Sequence, residues 1–165
     1  MTITEQGQLL LGVIQDYMSI QDGRVILGNE NFDGPKDSGL YIIGIYDAPA
    51  LVGVNSKKDY DARTEQMSVT SHNRWLVEVV SRGYDADNRH LEVFMAIASI
   101  PGTMAAEAAN CAFFRGGPPL NLTAIEGVAS LRRWQLPVII TNKQTKTASA
   151  DMIDKFTAPT IKHGG

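Results

Sequence analysis

The sequence predicts an α+β fold: a single domain in which two helices cover a mainly antiparallel sheet. Three observations carry this. The elements read helix, strands, helix, strand. Connections between the strands are short and hairpin-like. No helical crossover is apparent between successive strands, which argues against a parallel doubly wound sheet. At 165 residues and 18.0 kDa the chain suits one sizeable core. Its 44% hydrophobic and 20% charged residues are the composition of an ordinary globular protein.

A first helix is expected over 4–18, with Leu10, Val13, Ile14, Tyr17 and Met18 on one stripe. A short strand follows at 25–27. The polar stretch 28–39 is rich in turn formers and longer than most connections, which marks a binding or interface loop. Residues 40–46 form a strand apolar on both faces, ended by Asp47-Ala48-Pro49. A strand over 63–70 then turns through Ser71-His72-Asn73 into a strand from Arg74. On that last strand Trp75, Val77 and Val79 share one face and Leu76 and Val80 the other, the pattern of a central strand covered on both sides.

Gly83 is free to take positive φ, and Asp85 or Asp87 can accept from the first amides of the next helix. That helix is expected over 87–99, buried through Leu91, Phe94, Met95 and Ala98 and ended by Pro101-Gly102. Residues 105–112 suit a small helix and 115–119 an irregular loop. A long final strand runs over 131–147 through Trp134, Leu136, Val138 and Ile140, with Pro137 marking an edge or a bulge. The α+β domain is thus expected to span 1–148. Residues 149–165 form a C-terminal tail, in which Met152, Ile153 and Phe156 can dock as one turn.

The formal net charge of −3 gives no general argument for nucleic-acid affinity. Its distribution is uneven: residues 1–62 carry nine acids against four bases, and residues 131–165 six bases against two acids. Such polarity suits a head-to-tail assembly that pairs one side with the next subunit's other side, or two solvated surfaces that merely differ. Cys111 is the single cysteine, so no internal disulfide forms, and its alanine and phenylalanine neighbours suggest a buried, inert thiol. No signal peptide and no membrane-length apolar run is visible, so the protein is expected to be intracellular where it is made.

Chemistry-bearing motifs are missing. His72, His90 and His163 have no metal-ligand spacing. Asp85-Ala86-Asp87 opens like a calcium loop, but His90 stands where the glycine belongs and Ala96 where the glutamate belongs. No phosphate loop and no nucleophile elbow occurs. Trp75 and Trp134 fall on strand positions and read as core. The expectation is a protein with no catalytic residue, no metal and no cofactor.

The segment from Trp75 to Ala86, a strand ending in Ser81-Arg82-Gly83 before Tyr84-Asp85-Ala86 and an amphipathic helix, resembles the tail terminator and neck proteins of tailed bacteriophages. Asn29, Asn31 and Pro35 ahead of the strand from Tyr41 look like that family's opening loop and first long strand. Arg133 to Ile140 looks like its closing strand. The stretch 99–127 has no clear counterpart. The resemblance implies a small α+β domain assembled into a homo-oligomeric ring, commonly hexameric. Such a ring caps the tail tube, stops its polymerisation and joins it to the head–tail connector. DNA passes through the lumen without sequence-specific binding. It further implies a virion protein of the neck, made in the host bacterial cytoplasm, with no membrane partner. A head-completion adaptor, a tail tube subunit, or a small ligand-binding domain are the alternatives.

Interfaces are expected on long loops and on the tail, because helices and central strands are committed to the core. The nominated residues are Asn29, Asn31, Asp33, Pro35 and Asp37 in the first loop, and Lys57, Lys58 and Arg63 in a turn over 56–63. Arg115 in the 115–121 loop, Arg132 and Arg133 at the entrance of the last strand, and Met152, Ile153 and Phe156 in the tail complete the set.

Overall fold

Thr2 begins the first helix, α1 (Ile3–Met18), with a capping box. Its hydroxyl accepts from the Glu5 amide at 3.2 Å, and its own amide donates to Glu5 Oε2 at 2.6 Å. The Thr2 amide foremost, and then the Thr2 hydroxyl beside it, hold the Glu5 carboxyl below the usual carboxylate range. The computed structural model describes residues 1–28, 37–59, 64–126 and 129–149. Ser19 closes α1 in a left-handed conformation (φ 51°), its amide returning to Asp16 and Gln15. The buried face of α1 is Gln6, Gly7, Leu10, Leu11, Ile14 and Met18, so Val13 and Tyr17 lie at its margin rather than on its centre.

The strands are β1 (Val25–Leu27), β2 (Tyr41–Asp59), β3 (Thr64–Ser81), β4 (Cys111–Arg115), β5 (Leu120–Asn121), β6 (Ala124–Glu126) and β7 (Ala129–Ser149). Between β3 and β4 run α2 (Asp85–Arg89), α3 (Glu92–Ala98) and α4 (Ile100–Ala108). The sheet order is β1-β2-β3-β7-β4, with β5 and β6 pairing farther along β7. Only β1 pairs in parallel, with β2; the other ladders are antiparallel. The expected α+β class and mainly antiparallel sheet are therefore present.

The core lies where α1 and α3 meet the sheet. Leu10, Ile14, Trp75, Val77, Val79, Val93, Ala96, Leu136, Val138 and Ile140 pack there with no more than 1% exposure. Close approach is set by two glycines: a Cβ on Gly7 would fall 2.4 Å from Trp75 Cη2, and one on Gly44 3.0 Å from the Leu11 methyls. The opposite sheet face is also covered at its centre, with Ile43, Glu78 and Val80 buried. This matches the two-sided strand read from residues 75–80.

Several expectations are corrected. No turn occurs at Ser71-His72-Asn73: β3 is one strand, paired with β7 in unbroken register from Thr64↔Ser149 to Ser81↔Arg132. Its true hairpin partner is β2, which does not stop at Asp47-Ala48-Pro49 but absorbs it in two register shifts. The nominated turn over 56–63 is strand as far as Asp59.

The second helix is three helices, and Pro101-Gly102 starts the last of them. The Ser99 hydroxyl donates to Ala96 O at 2.7 Å, closing α3. It accepts from Gly102 N at 3.1 Å, opening α4 with proline in its first turn, where a missing N–H costs nothing. The buried residues of α3 are Val93, Ala96 and Ile97. Phe94 is half-buried, whereas Leu91, Met95 and Ala98 face solvent. Residues 105–112 divide between the end of α4 and the start of β4, with left-handed Asn110 (φ 55°) at the bend.

The α2–α4 run is itself a crossover: β3 and β4 are both antiparallel to β7 and hence parallel to each other. Gly83 does not adopt the left-handed conformation, which among the described residues falls to Ser19, Gly23 and Asn110. Asp85 and Asp87 do not cap; the Ser81 hydroxyl accepts from Ala86 N at 3.0 Å instead. Pro137 marks a gap, not an edge. Its carbonyl accepts from Gly116 N at 2.8 Å, and its missing N–H falls between the end of β4 at Val138 and the start of β5 at Gln135.

Candidate subunit interface

The three longest strands outrun their core. In β3 the last buried residue toward the hairpin is Asn73, and in β7 it is Asn142. The buried amide Nδ2 of Asn73 donates to Gln6 Oε1 of α1 at 3.0 Å, the outermost polar tie between helix layer and sheet on this strand. Beyond that point no described side chain of 65–72 or 143–147 is fully buried, and Met67 and Val69 are 45% and 37% exposed. The result is a three-stranded arm, β2–β3–β7, in which the described side chains of β3 and β7 form no buried core.

The face of the arm that continues the helix-free side presents Gln66, Ser68 and Thr70 of β3 and Thr141, Lys143, Thr145 and Thr147 of β7. Among the described side chains of these two strands, that face carries hydroxyls, an amide, a lysine and the His72 ring, whose Nδ1 lies 2.8 Å from Thr141 Oγ1, and no carboxylate.

The arm also has two open edges. From Ile45 onward β2 is paired with β3 but, among the described residues, with no strand on its other side. From Lys143 onward the same holds for β7, because its pairing with β4 covers only Val138 to Asn142.

Two polar clusters secure the core end of the sheet. Glu78, buried on the helix-free face, accepts from Arg133 Nη2 (2.7 Å), Arg133 Nε (3.0 Å) and Gln135 Nε2 (3.1 Å). On the helix side Trp134 donates its indole N–H to Asp87 Oδ1 at 2.8 Å and stacks on His90, ring centroids 3.9 Å apart and 8° from parallel. Arg132 lies 3.4 Å from Asp87 Oδ2 and 4.8 Å above the Tyr84 ring. Trp134 is therefore a half-buried clamp on the α2 entry rather than core.

No group of three His, Cys, Asp or Glu residues converges on a metal-sized site among the described residues. No single described helix is long and apolar enough to cross a membrane. A groove of about 210 Å³ between α1 and α4 is lined by Val13, Asp16, Tyr17, Ser99, Pro101 and Ala105. Beside it α4 exposes Ile100 (77%) and Met104 (63%), an unusual amount of apolar surface for one helix.

Comparison with known protein families found no family model that matches the sequence, and a search of curated proteins found no match. The geometry must speak for itself.

Of the residues nominated from sequence, Asn29, Asn31, Asp33, Pro35, Arg63, Met152, Ile153 and Phe156 lie outside the described residues. Lys57 and Lys58 lie on the open β2 edge strand, opposite Gln66 and Glu65 of β3. Asp37 is held within the chain, Oδ2 by Arg24 Nη2 at 2.6 Å and Oδ1 by Gly39 N at 2.9 Å. Arg115 lies 4.8 Å over the Phe94 ring and donates to Gly117 O at 3.0 Å. Arg132 and Arg133, expected at most to be solvated or to touch a partner, are engaged by Asp87 and Glu78 of their own chain. Glu78 is not among the nominated residues, although a lone acid inside Leu76-Val77-Glu78-Val79-Val80 is a legible signal of a paired buried charge.

Cys111 is half-buried rather than fully enclosed. It opens β4 opposite Asn142, in a hollow of about 280 Å³ shared with Glu107, Asn110, Ala112, Thr141 and Lys143. Burial pushes its thiol above the ordinary range. Less thiolate is then present at any pH below that raised pKa than in a free cysteine. Labelling with an aromatic disulfide at pH 8 should therefore be slower than for a free cysteine and rise on further alkalinisation. Labelling as fast as free glutathione across the range would show the thiol to be unperturbed.

Proposed function

We propose that the protein is a structural ring subunit of a tailed-bacteriophage neck, a tail terminator that caps the tail tube and joins it to the head–tail connector. The observation that carries this reading is the three-stranded arm. Strands of 19, 18 and 21 residues extend past the helix layer, and among the described residues the outer two leave their outer backbone edges without a strand partner. Native monomers blunt or cover long edges, because an unpaired row of N–H and C=O groups templates association. A chain that builds such an arm is built to be completed by neighbours. The strand-to-helix segment from Trp75 to Ala86, which resembles the neck family, supports this choice of assembly.

A closed ring needs a head-to-tail contact whose rotation divides a full turn. The acidic first part of the chain and the basic last part suit such a contact. The helix-free face of the arm, where the described side chains of β3 and β7 include no carboxylate, suits a passage wall along which DNA slides without its sequence being read. In this reading the protein works without catalysis or cofactor, the ring is hexameric, and it resides in the virion neck after synthesis in the host cytoplasm.

Native mass measurement should show one discrete multiple of the 18.0 kDa chain. Negative-stain images with tail tubes should place a single ring at the tube end. Indefinite stacking would make the protein a tube subunit. A strict monomer at every concentration, with tail tube present, would remove the proposal.

A further inference from the structure

We propose that neighbours in this ring join as one continuous sheet, the open β7 edge of one copy pairing in parallel with the open β2 edge of the next. The occupant of each edge is thus a second copy of the chain, which presupposes the ring proposed above.

The register supplies the geometry. Gly53 pairs with Thr70, and Thr70 with Lys143; Asp59 pairs with Thr64, and Thr64 with Ser149. Residues 53–59 of β2 and 143–149 of β7 therefore lie level with each other across the arm. Neither is paired with a strand on its outer side among the described residues, but Lys143 O accepts from Asn110 Nδ2 at 3.3 Å, so the matching open edges are 54–59 and 144–149. Two edges of equal length at equal height meet without an axial step when copies are related by rotation about an axis along the strands.

Strand direction then selects the symmetry. β2 and β7 both run antiparallel to β3, so they run parallel to each other. Cyclic rotation preserves that direction, and the junction is a parallel pair. A two-fold dimer would instead put β2 against β2, or β7 against β7, in antiparallel register. An arm of three strands, an odd number, therefore distinguishes ring from dimer by the polarity of the junction alone.

Disulfide cross-linking of the full chain tests this in a Cys111→Ser background. Asn55 and Thr145 are level through Ser68. Within one copy they are two strand spacings apart, about 9.5 Å. That exceeds the roughly 7 Å limit for a disulfide, so a bond between them must join two copies. Thr145→Cys is combined in turn with Gly53→Cys, Asn55→Cys and Lys57→Cys, which covers a slip of two residues either way. Native mass and thermal melting are recorded for each variant.

The expected result is a ladder of cross-linked species rising to the full ring with at least one pairing, collapsing to 18.0 kDa on reduction. Single-cysteine variants are expected to stay uncrosslinked. Rings by native mass with no ladder from any pairing would overturn the parallel junction and leave the ring standing. Dimers from Asn55→Cys or Thr145→Cys alone would show two-fold edge pairing and overturn it as well. Absence of any ring from the unmodified chain with tail tube would remove the ring and this junction together.

Discussion

Trp75→Ala should lower the unfolding free energy by about 3–5 kcal/mol, the usual range for truncating a large buried aromatic. Trp75 is 1% exposed, and it is the residue on which α1 lands: Gly7 leaves no room for a side chain between helix and ring. Tyr46 meets it edge-on, with centroids 5.6 Å apart. For a domain of this size the loss corresponds to a melting temperature lower by roughly 10 °C or more. Trp75→Phe should cost less, about 1–2 kcal/mol, because it keeps the apolar body and discards a buried indole N–H that has no acceptor among the described residues. Gly7→Leu should destabilise by about 1–3 kcal/mol through overpacking. Combined with Trp75→Ala, it should cost less than the sum, since one change vacates the space the other needs. Strict additivity in that cycle, read by chemical denaturation, would mean that α1 does not rest on Trp75.

These residues also show what the sequence reveals and what it hides. Apolar side chains on both parities of 75–80 predict a strand covered on two sides, and burial of Trp75, Val77, Val79 and Val80 agrees. The stripe on α1 is legible for the same reason: a period of 3.6 puts Leu10, Ile14 and Met18 on one line. Local signals mislead where pairing or capping overrides them. Ser71-His72-Asn73 has turn composition, yet it is held extended between Val52 and Leu51 on β2 and Thr141 and Asn142 on β7, with Asn73 opposite Pro49 and Ile140. Pro101 reads as a stop because it cannot continue a helix. It stands in a first turn instead, because Ser99 ends one helix and caps the next with the same hydroxyl.

The candidate interface was the least legible part. Loop length and polarity point to loops and a tail that lie mostly outside the described residues, while among the described residues the open edges are strand. Whether a strand edge is paired depends on partners sixty or more residues away, as with Ser71 and Asn142, and no local pattern encodes that. The arginines carry the same lesson. Arg132-Arg133 looks like surface charge until the register sets Arg133 opposite Val80, two residues from the buried Glu78 and on the same face.

Arg133→Met should cost about 2–3 kcal/mol, more than an ordinary surface substitution, because it strands the Glu78 carboxylate with Gln135 alone. The Glu78 side chain is 3% exposed and that of Arg133 42%, so the pair is only half withdrawn from water. Solvent screening of the guanidinium places the effect below the 3–5 kcal/mol typical of breaking a fully buried pair. Direction matters more than size. Glu78→Met combined with Arg133→Met removes both charges and leaves neither partner uncompensated, so the double variant should be more stable than Arg133→Met alone. Glu78→Met alone should fall between them, since the remaining guanidinium can turn to solvent while a stranded carboxylate cannot. Urea melts of the three variants read this order directly. A double variant less stable than Arg133→Met would show that the ion pair itself stabilises the sheet, and that relief of a stranded charge is not the governing effect.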